Sequence, residues 1–313
     1  AQNNLGFMYY DGVGVTQNYK TALKWHSLAA EQGNARGQMM LGLMYDDGLG
    51  VPEDDKTAVK WYTLAAAQDN EYGQFHLGLM YFHGYGVSQD YKTALKWFTL
   101  AAEQGNARSQ HSLGYIYYAG AGVTQNYKTA VKWYTLAADQ GNPSAQSSLG
   151  RFYSQGYGVT QNYKTAVKWY TLAAEQENSI AQNNLGILYE DGYGVSQDYK
   201  TALKWFTLAA DQGNFAAQDN LGILYENGYG VSQDYKTALK WFTLAAEQGY
   251  PTAQSSLGRF YNQGYGVSQD YKTALKWYTL AADQGDFTAQ NNLGFMYYDG
   301  VGVTQNYKTA LKW

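Results

Sequence analysis

Gly194-Val-Ser-Gln-Asp-Tyr-Lys-Thr-Ala-Leu-Lys-Trp205 decides the architecture, because close copies of it end at Trp25, Trp61, Trp97, Trp133, Trp169, Trp205, Trp241, Trp277 and Trp313. Each tryptophan stands 36 residues after the last, with no insertion. A strict period in that range marks a solenoid, propeller or array, in which each repeat is one supersecondary unit that buries its apolar face only against its neighbours. Residues 1–313 therefore read as one continuous elongated domain of about 8.7 repeats, and the nine tryptophans as its repeat-packing column, buried between neighbouring repeats.

Residues 34–69 show what one repeat contains. After Asn34 a helical pattern runs through about Asp47, Gly48-Leu49-Gly50-Val51 interrupts it, and Asp54 opens a second pattern through about Gln68. Leu41, Met44 and Tyr45 stand at i, i+3 and i+4 in the first pattern, and Ala58, Trp61, Tyr62 and Ala65 form the matching stripe in the second. Such spacing gives each helix one apolar face. Asn34, Asn106, Asn142 and Asn214 precede first helices, and Asn18, Asp54, Asp90, Asn126, Asp198 and Asp234 precede second helices, where a short polar side chain satisfies free backbone N–H groups. Pro143 and Pro251 fall just inside a first helix, where a missing N–H is harmless.

Glycine does two jobs. The pair Gly12 and Gly14, copied through Gly300 and Gly302, ends the first helix and turns the chain. A Gly-x-Gly pair with no third glycine and no preceding strand does not make a dinucleotide loop. The second column, Gly6, Gly42, Gly78 and onward to Gly294, lies inside the first helix, where glycine costs about 1 kcal/mol relative to alanine. A loss repeated along the chain implies close helix contact, and the rings of neighbouring Trp and Tyr residues are expected to pack over this notch.

The repeat resembles the Sel1-like repeat, a relative of the tetratricopeptide repeat, over the whole chain. The resemblance rests on Ala181-Gln182-x-x-Leu185-Gly186-x-x-Tyr189, Gly192-x-Gly194-Val195, and Asp198-Tyr199-x-x-Ala202-x-x-Trp205 followed by Ala209-Ala210, in that order. It implies an all-α fold, an α/α right-handed superhelical solenoid of helix-turn-helix repeats with first helices on the concave side. It also implies a scaffold or adaptor, or a secreted or cell-surface protein. Some relatives carry a cysteine pair per repeat; this chain has no cysteine, so disulfide staples and thiolate metal sites are excluded and stability must come from packing.

Composition narrows the function further. Charged residues make up 15% of the chain, against roughly 25% in an average soluble protein. The net charge of −4 leaves no basic excess for a phosphate backbone, which argues against nucleic acid. No apolar run approaches the roughly 18 residues of a membrane span. The weakly charged, Tyr- and Asn-rich surface points to an extracellular or cell-surface setting. Four histidines, His26, His76, His83 and His111, fall short of a zinc set, although His76 and His111 come from adjacent repeats and could approach each other. His26 occupies a column otherwise held by Tyr or Phe and reads as a packed replacement. No cofactor, metal or catalytic residue is expected, and no enzymatic activity. Lys20 and Lys24 recur through Lys308 and Lys312 as a solvated outer stripe, answered by Glu31, Glu103, Asp139, Glu175 and Asp211.

The differences between repeats point to where a partner could sit. Counted from Ala1, Gly37, Gly73 and onward every 36 residues, the third, seventh and tenth positions of each repeat form an i, i+4, i+7 stripe on the first helix, the face that the resemblance makes concave. Met39, Leu43, Phe75, Leu79, Phe82, His111, Tyr115 and Tyr118 form an apolar and aromatic section, Arg151 and Arg259 add isolated cations, and Glu190, Asp219 and Glu226 form an acidic section. Free of packing duty, this groove could take a protein segment or a glycan, with its aromatics as stacking platforms.

A second reading comes from the ends. Residues 1–25 and 289–313 are identical at all 25 positions, 288 residues apart, and the chain starts at Ala1 with no initiator methionine. Either an eight-repeat block of 288 residues was duplicated, or the chain is a window cut from a longer array with this superperiod. In each case the repeats could continue, covalently or by head-to-tail contact with itself, into a filament. The structural filament and the groove-bearing adaptor are the two functions the sequence allows.

Overall fold

The computed structural model describes residues 1–313 as helices joined by turns, without strands, in two compact blocks, Ala1–Gln161 and Asn162–Trp313. The N-terminal block holds α1 (Gln2–Asp11), α2 (Tyr19–Glu31), α3 (Ala35–Asp46), α4 (Asp55–Ala66), α5 (Glu71–His83), α6 (Tyr91–Glu103), α7 (Ala107–Ala119), α8 (Tyr127–Asp139) and α9 (Pro143–Gln155). The C-terminal block holds α10 (Tyr163–Ala174), α11 (Ser179–Asp191), α12 (Tyr199–Asp211), α13 (Phe215–Asn227), α14 (Tyr235–Glu247), α15 (Pro251–Gln263), α16 (Tyr271–Asp283), α17 (Phe287–Asp299) and the short α18 (Tyr307–Ala310). Within each block consecutive helices pack antiparallel, first helix on second helix and second helix on the next repeat's first. First helices of consecutive repeats also touch directly, α3 with α5 and α15 with α17.

Local chemistry sets the helix ends as the sequence implies. Asn34 Oδ1 accepts from the Gly37 amide and Asp90 Oδ1 from the Lys92 and Thr93 amides, while Thr93 donates its hydroxyl to Asp90. These bonds to the ionised form hold the Asp90 carboxyl below the usual carboxylate range. Pro143 and Pro251 open α9 and α15. At the other end Gly84 takes φ 79° and returns its amide to the Met80 carbonyl, the left-handed closure that glycine adopts without a Cβ penalty. Gly86 meets a second constraint, since a Cβ there would lie 2.5 Å from the Asp55 carbonyl oxygen of the preceding repeat.

The core corrects the assignment of the tryptophans. The stripe buried in each second helix is the position after tryptophan together with three alanines: Ala94, Phe98, Ala101 and Ala102 in α6 are at most 3% exposed. These residues join Phe75, Leu113 and Ile116 in one cluster that bridges α5, α6 and α7. Trp97 and its copies are half-buried at the stripe's edge. From there Trp133 packs against the cluster of the preceding repeat, and Trp241 and Trp277 do the same in the C-terminal block. One residue of helix is a 100° turn, enough to separate the centre of an interface from its rim.

The helix-interior glycines face the same buried position. A Cβ at Gly78 would sit 2.7 Å from the Phe98 ring, at Gly42 the same distance from Tyr62, and at Gly6 2.6 Å from His26. The covering ring nearest each notch is therefore the Tyr, Phe or His one residue beyond the tryptophan. His26 is fully buried there, packed edge-on against Phe7 and hydrogen-bonded to Asn3.

A polar clamp adds to this packing. Gln74, fully buried at the second position of α5's apolar face, donates to the Ala66 carbonyl that ends α4 and accepts from Gln104 Nε2 at 2.8 Å. Gln38 with Gln68, Gln110 with Gln140, and Gln218 with Gln248 repeat the bond. Each clamp ties a first helix to the C-terminal ends of the second helices on either side, satisfying carbonyls that have no partner within the helix.

Candidate functional site

The variable stripe of the first helices splits into three layers. Its third position is core. Met39 and Phe75 are 8% and 7% exposed, with Phe75 seated in the cluster of Phe98 and Met39 in that of Met40 and Ala65. The groove expected from the sequence placed both on a free surface, and both are occupied by packing. The third position lies beside the ring beyond the tryptophan of its own repeat. Phe75 lies 6.0 Å from Phe98, and His111 lies 5.5 Å from Tyr134.

The seventh position of one repeat rests on the tenth position of the repeat before it. Tyr115 meets Phe82 edge to face at 6.0 Å, and the Arg151 guanidinium lies 4.5 Å above the Tyr118 ring, with Nη1 3.5 Å from its hydroxyl. In the C-terminal block Arg259 occupies the same relation to Glu226. Its Nη1 and Nη2 donate to the two carboxylate oxygens, and this ion pair raises the Arg259 pKa. Arg259 is thus not an isolated cation, while Arg151 is paired with a ring and with no carboxylate.

The acidic section does not survive as a surface either. Glu226 is held by Arg259, and Asp219 is 3% exposed at a core position, with Oδ1 unpartnered. Burial pushes the Asp219 carboxyl up to about 7, partly opposed by Arg259 and reinforced by Asp286 and Glu226. Burial, with Asp191 adding to it, also raises Glu190. Only fragments of the expected negative charge face solvent.

In the N-terminal block the first-helix face keeps an open pocket of about 280 Å³, lined by Leu79, Phe82, His83, Phe98, His111, Ser112 and Tyr115. Leu79 and Phe82 are half-buried and Tyr115 is 45% exposed. Burial lowers the His111 pKa, so the imidazole facing this pocket is neutral at neutral pH. Of the residues expected to line a groove, Leu79, Phe82, His111 and Tyr115 come together here. Tyr118 and Arg151 adjoin them, with Tyr118 6.4 Å from Tyr115. Leu43 packs beside Met39, away from the pocket.

His26 and His76 are packed into the fold. His76 stacks on Tyr62 at 5.0 Å, and burial, with Arg108 nearby, lowers its pKa to about 4; His26 is lowered to about 4 in the same way, by burial and then Arg36. His76 and His111 thus pack on the rings of different repeats, and no group of three or more His, Asp or Glu side chains is placed to hold a metal ion. The lysine stripe is exposed, and in several repeats the lysine just before tryptophan lays its ammonium over the indole, Lys96 5.1 Å from the Trp97 ring and Lys204 5.2 Å from Trp205. No helix is long and apolar enough to cross a membrane.

The glutamine clamp escaped sequence reasoning, although it carries a signal within the chain, since Gln38, Gln74, Gln110 and their successors recur as faithfully as tryptophan. The ring beyond tryptophan was placed in the stripe, as Tyr62, but not ranked above tryptophan.

The Sel1 repeat family model matches residues 1–34, 35–70, 71–106, 107–142, 143–178, 179–214, 215–250, 251–286 and 288–313. Among solved structures the chain is similar to c5321, a protective antigen present in uropathogenic Escherichia coli strains displaying an SLR fold. The two are 37% identical over 100% of this chain and 74% of that one, with a TM-score of 0.65. A Sel1 repeat protein from Oxalobacter formigenes is 33% identical over 78% of this chain and 96% of its own, with a TM-score of 0.71. No curated protein matches the chain.

Proposed function

This chain belongs to the Sel1 repeat family along its whole length, and from that premise we propose that it is a non-enzymatic interaction scaffold whose first-helix face, in residues 1–161, holds a segment of a protein partner. The observation that carries the reading is the pocket beside Tyr115. Elsewhere on the stripe within residues 1–161 the large apolar side chains are buried or half-buried, while in the last repeat Phe295 and Tyr298 are exposed as well. At the Tyr115 pocket an aromatic ring stays 45% exposed at the mouth of a cavity with apolar walls. An exposed apolar patch of this kind marks a contact site more often than an ornament of the surface.

A scaffold needs rigid placement of that patch, and the fold supplies it. Leu79 and Phe82 project from α5 and Tyr115 from α7, and both helices are fixed to α6, through Phe98, through the Gln74–Gln104 bond on the α5 side and through the Gln110 bond to the Ala102 carbonyl on the α7 side. Extended peptides bind such grooves through a few anchored side chains.

The test is selection from a random peptide display library on the immobilised chain. Enriched peptides should bind the wild type and lose at least about tenfold on Tyr115→Ala, the usual range for an interface anchor. Sequences that bind Tyr115→Ala equally well, or no enrichment at all, would remove this face from consideration. Filament growth rests on the identity of residues 1–25 with 289–313 alone, and it ranks second on that ground.

A further inference from the structure

Arg151 is the one place where the molecule shows, by its own repetition, what is missing. Arg259 and Arg151 hold the same position in their repeats, and each reaches back across 33 residues to the tenth position of the previous first helix. Where that position is Glu226, the guanidinium fork closes on both carboxylate oxygens. Where it is Tyr118, the fork lies over the ring and no carboxylate meets it. A guanidinium stacked on an aromatic face keeps its edge N–H donors available, and that edge matches a carboxylate in two parallel bonds.

Next to this unfilled fork lies the apolar pocket. Its volume of about 280 Å³ falls just under the roughly 300–1,000 Å³ of small-molecule sites, a size suited to one large side chain. Leu79, Phe82 and Phe98 form its apolar walls, with Tyr115 at its mouth. The steps from Tyr115 to Tyr118, 6.4 Å, and from Tyr118 to Arg151, 4.5 Å, put the guanidinium within about 11 Å of the Tyr115 ring. An extended peptide advances roughly 3.3 Å per residue and presents alternate side chains to one face. A side chain seated in the pocket therefore has a neighbour two residues along, on the same face, that reaches toward Arg151.

We propose that the pocket and Arg151 together recognise an extended protein segment carrying a large apolar side chain and, two residues away, an Asp or Glu. This rests on the scaffold reading and specifies its partner. The charge balance of the site favours an acidic segment: Arg151 lacks a counter-ion, and Asp46, the acid at the tenth position of an earlier repeat, is taken up by the Tyr62 hydroxyl. His111 is neutral and does not compete for the carboxylate.

Fluorescence anisotropy with three labelled, C-terminally amidated nonapeptides tests the idea: one with a central Phe-Ala-Glu, one with Phe-Ala-Gln and one with Ala-Ala-Glu. On the wild type, Glu to Gln and Phe to Ala should each weaken binding about tenfold, and the Glu/Gln ratio should shrink with added salt. Arg151→Gln should bring the Glu/Gln ratio to one while keeping the Phe dependence. Arg259→Gln should leave both ratios unchanged, and circular dichroism confirms that each variant is folded. The proposal is overturned if Arg151→Gln keeps the Glu/Gln ratio, if binding ignores the Phe, or if an acidic oligosaccharide such as polygalacturonate binds in an Arg151-dependent way and the peptides do not. If none of the three binds although library-selected peptides bind through Tyr115, the motif is wrong and the scaffold reading stands; if selection also yields nothing, both fall.

Discussion

Asp219→Asn should make the C-terminal block more stable at pH 8 and leave it nearly unchanged at pH 4. Asp219 is 3% exposed, Oδ1 has no partner, and burial lifts its carboxyl from the ordinary 3.8 to about 7. Arg259, the nearest opposite charge, is already committed to Glu226. Between about pH 4 and 7 the unfolded chain releases this proton and the folded chain keeps it, so the folded state binds more protons and stability falls as pH rises. Each pH unit of that interval costs about 1.4 kcal/mol, which sums to about 4 kcal/mol above pH 7. Asn183, Ser147 and Ser255 occupy the same core position in other repeats, so the amide fits without a new cavity. The protonated carboxyl carries a desolvation cost like the amide's own, so that cost cancels between the two variants, leaving them similar at pH 4 and giving an expected advantage of up to about 4 kcal/mol at pH 8. The assay is amide hydrogen exchange in α13 and α14 across this pH range, because a repeat array shares energy mainly between neighbours. An Asn variant whose advantage is the same at pH 4 and pH 8, or one less stable at pH 8, would refute the reasoning.

The N-terminal block should show the opposite trend. His26 is fully buried and its pKa is lowered to about 4, so from pH 6.5 down to 4 the unfolded chain takes up a proton that the folded chain refuses, and about 3 kcal/mol is lost. His26→Phe, matching Phe98, should abolish most of the loss of hydrogen-exchange protection in α1 to α3 on acidification. Phe98→Ala should cost about 3–5 kcal/mol, more than Trp97→Ala, because Phe98 is 1% exposed and covers Gly78 whereas Trp97 is half-buried. Urea unfolding of both variants checks the order, and a larger loss at Trp97 would return tryptophan to the centre of the packing.

What the sequence determined by itself was local and periodic. Asn34 and Asp90 as caps, Pro143 at the first helical position and Gly84 at a left-handed helix end all depend on interactions within four residues. A 36-residue period with no insertions leaves only a stack of identical helix pairs, which is why the family and fold class were legible. Depth and pairing belong to the tertiary structure. The helical wheel places Trp97 and Phe98 on the same side of α6, and only the rotation of α6 against α5 puts Phe98 over Gly78 and leaves Trp97 at the rim. The stripe of positions three, seven and ten was a true helix face, but the close approach of first helices sinks Phe75 and Asp219 into the core and leaves Tyr115 outside. Arg151 and Arg259 are indistinguishable by position in the repeat. Their difference lies 33 residues away, in Tyr118 and Glu226. Helix periodicity reports which residues share a face; which of them meet across repeats depends on the offset and angle between packed helices, which no single helix encodes.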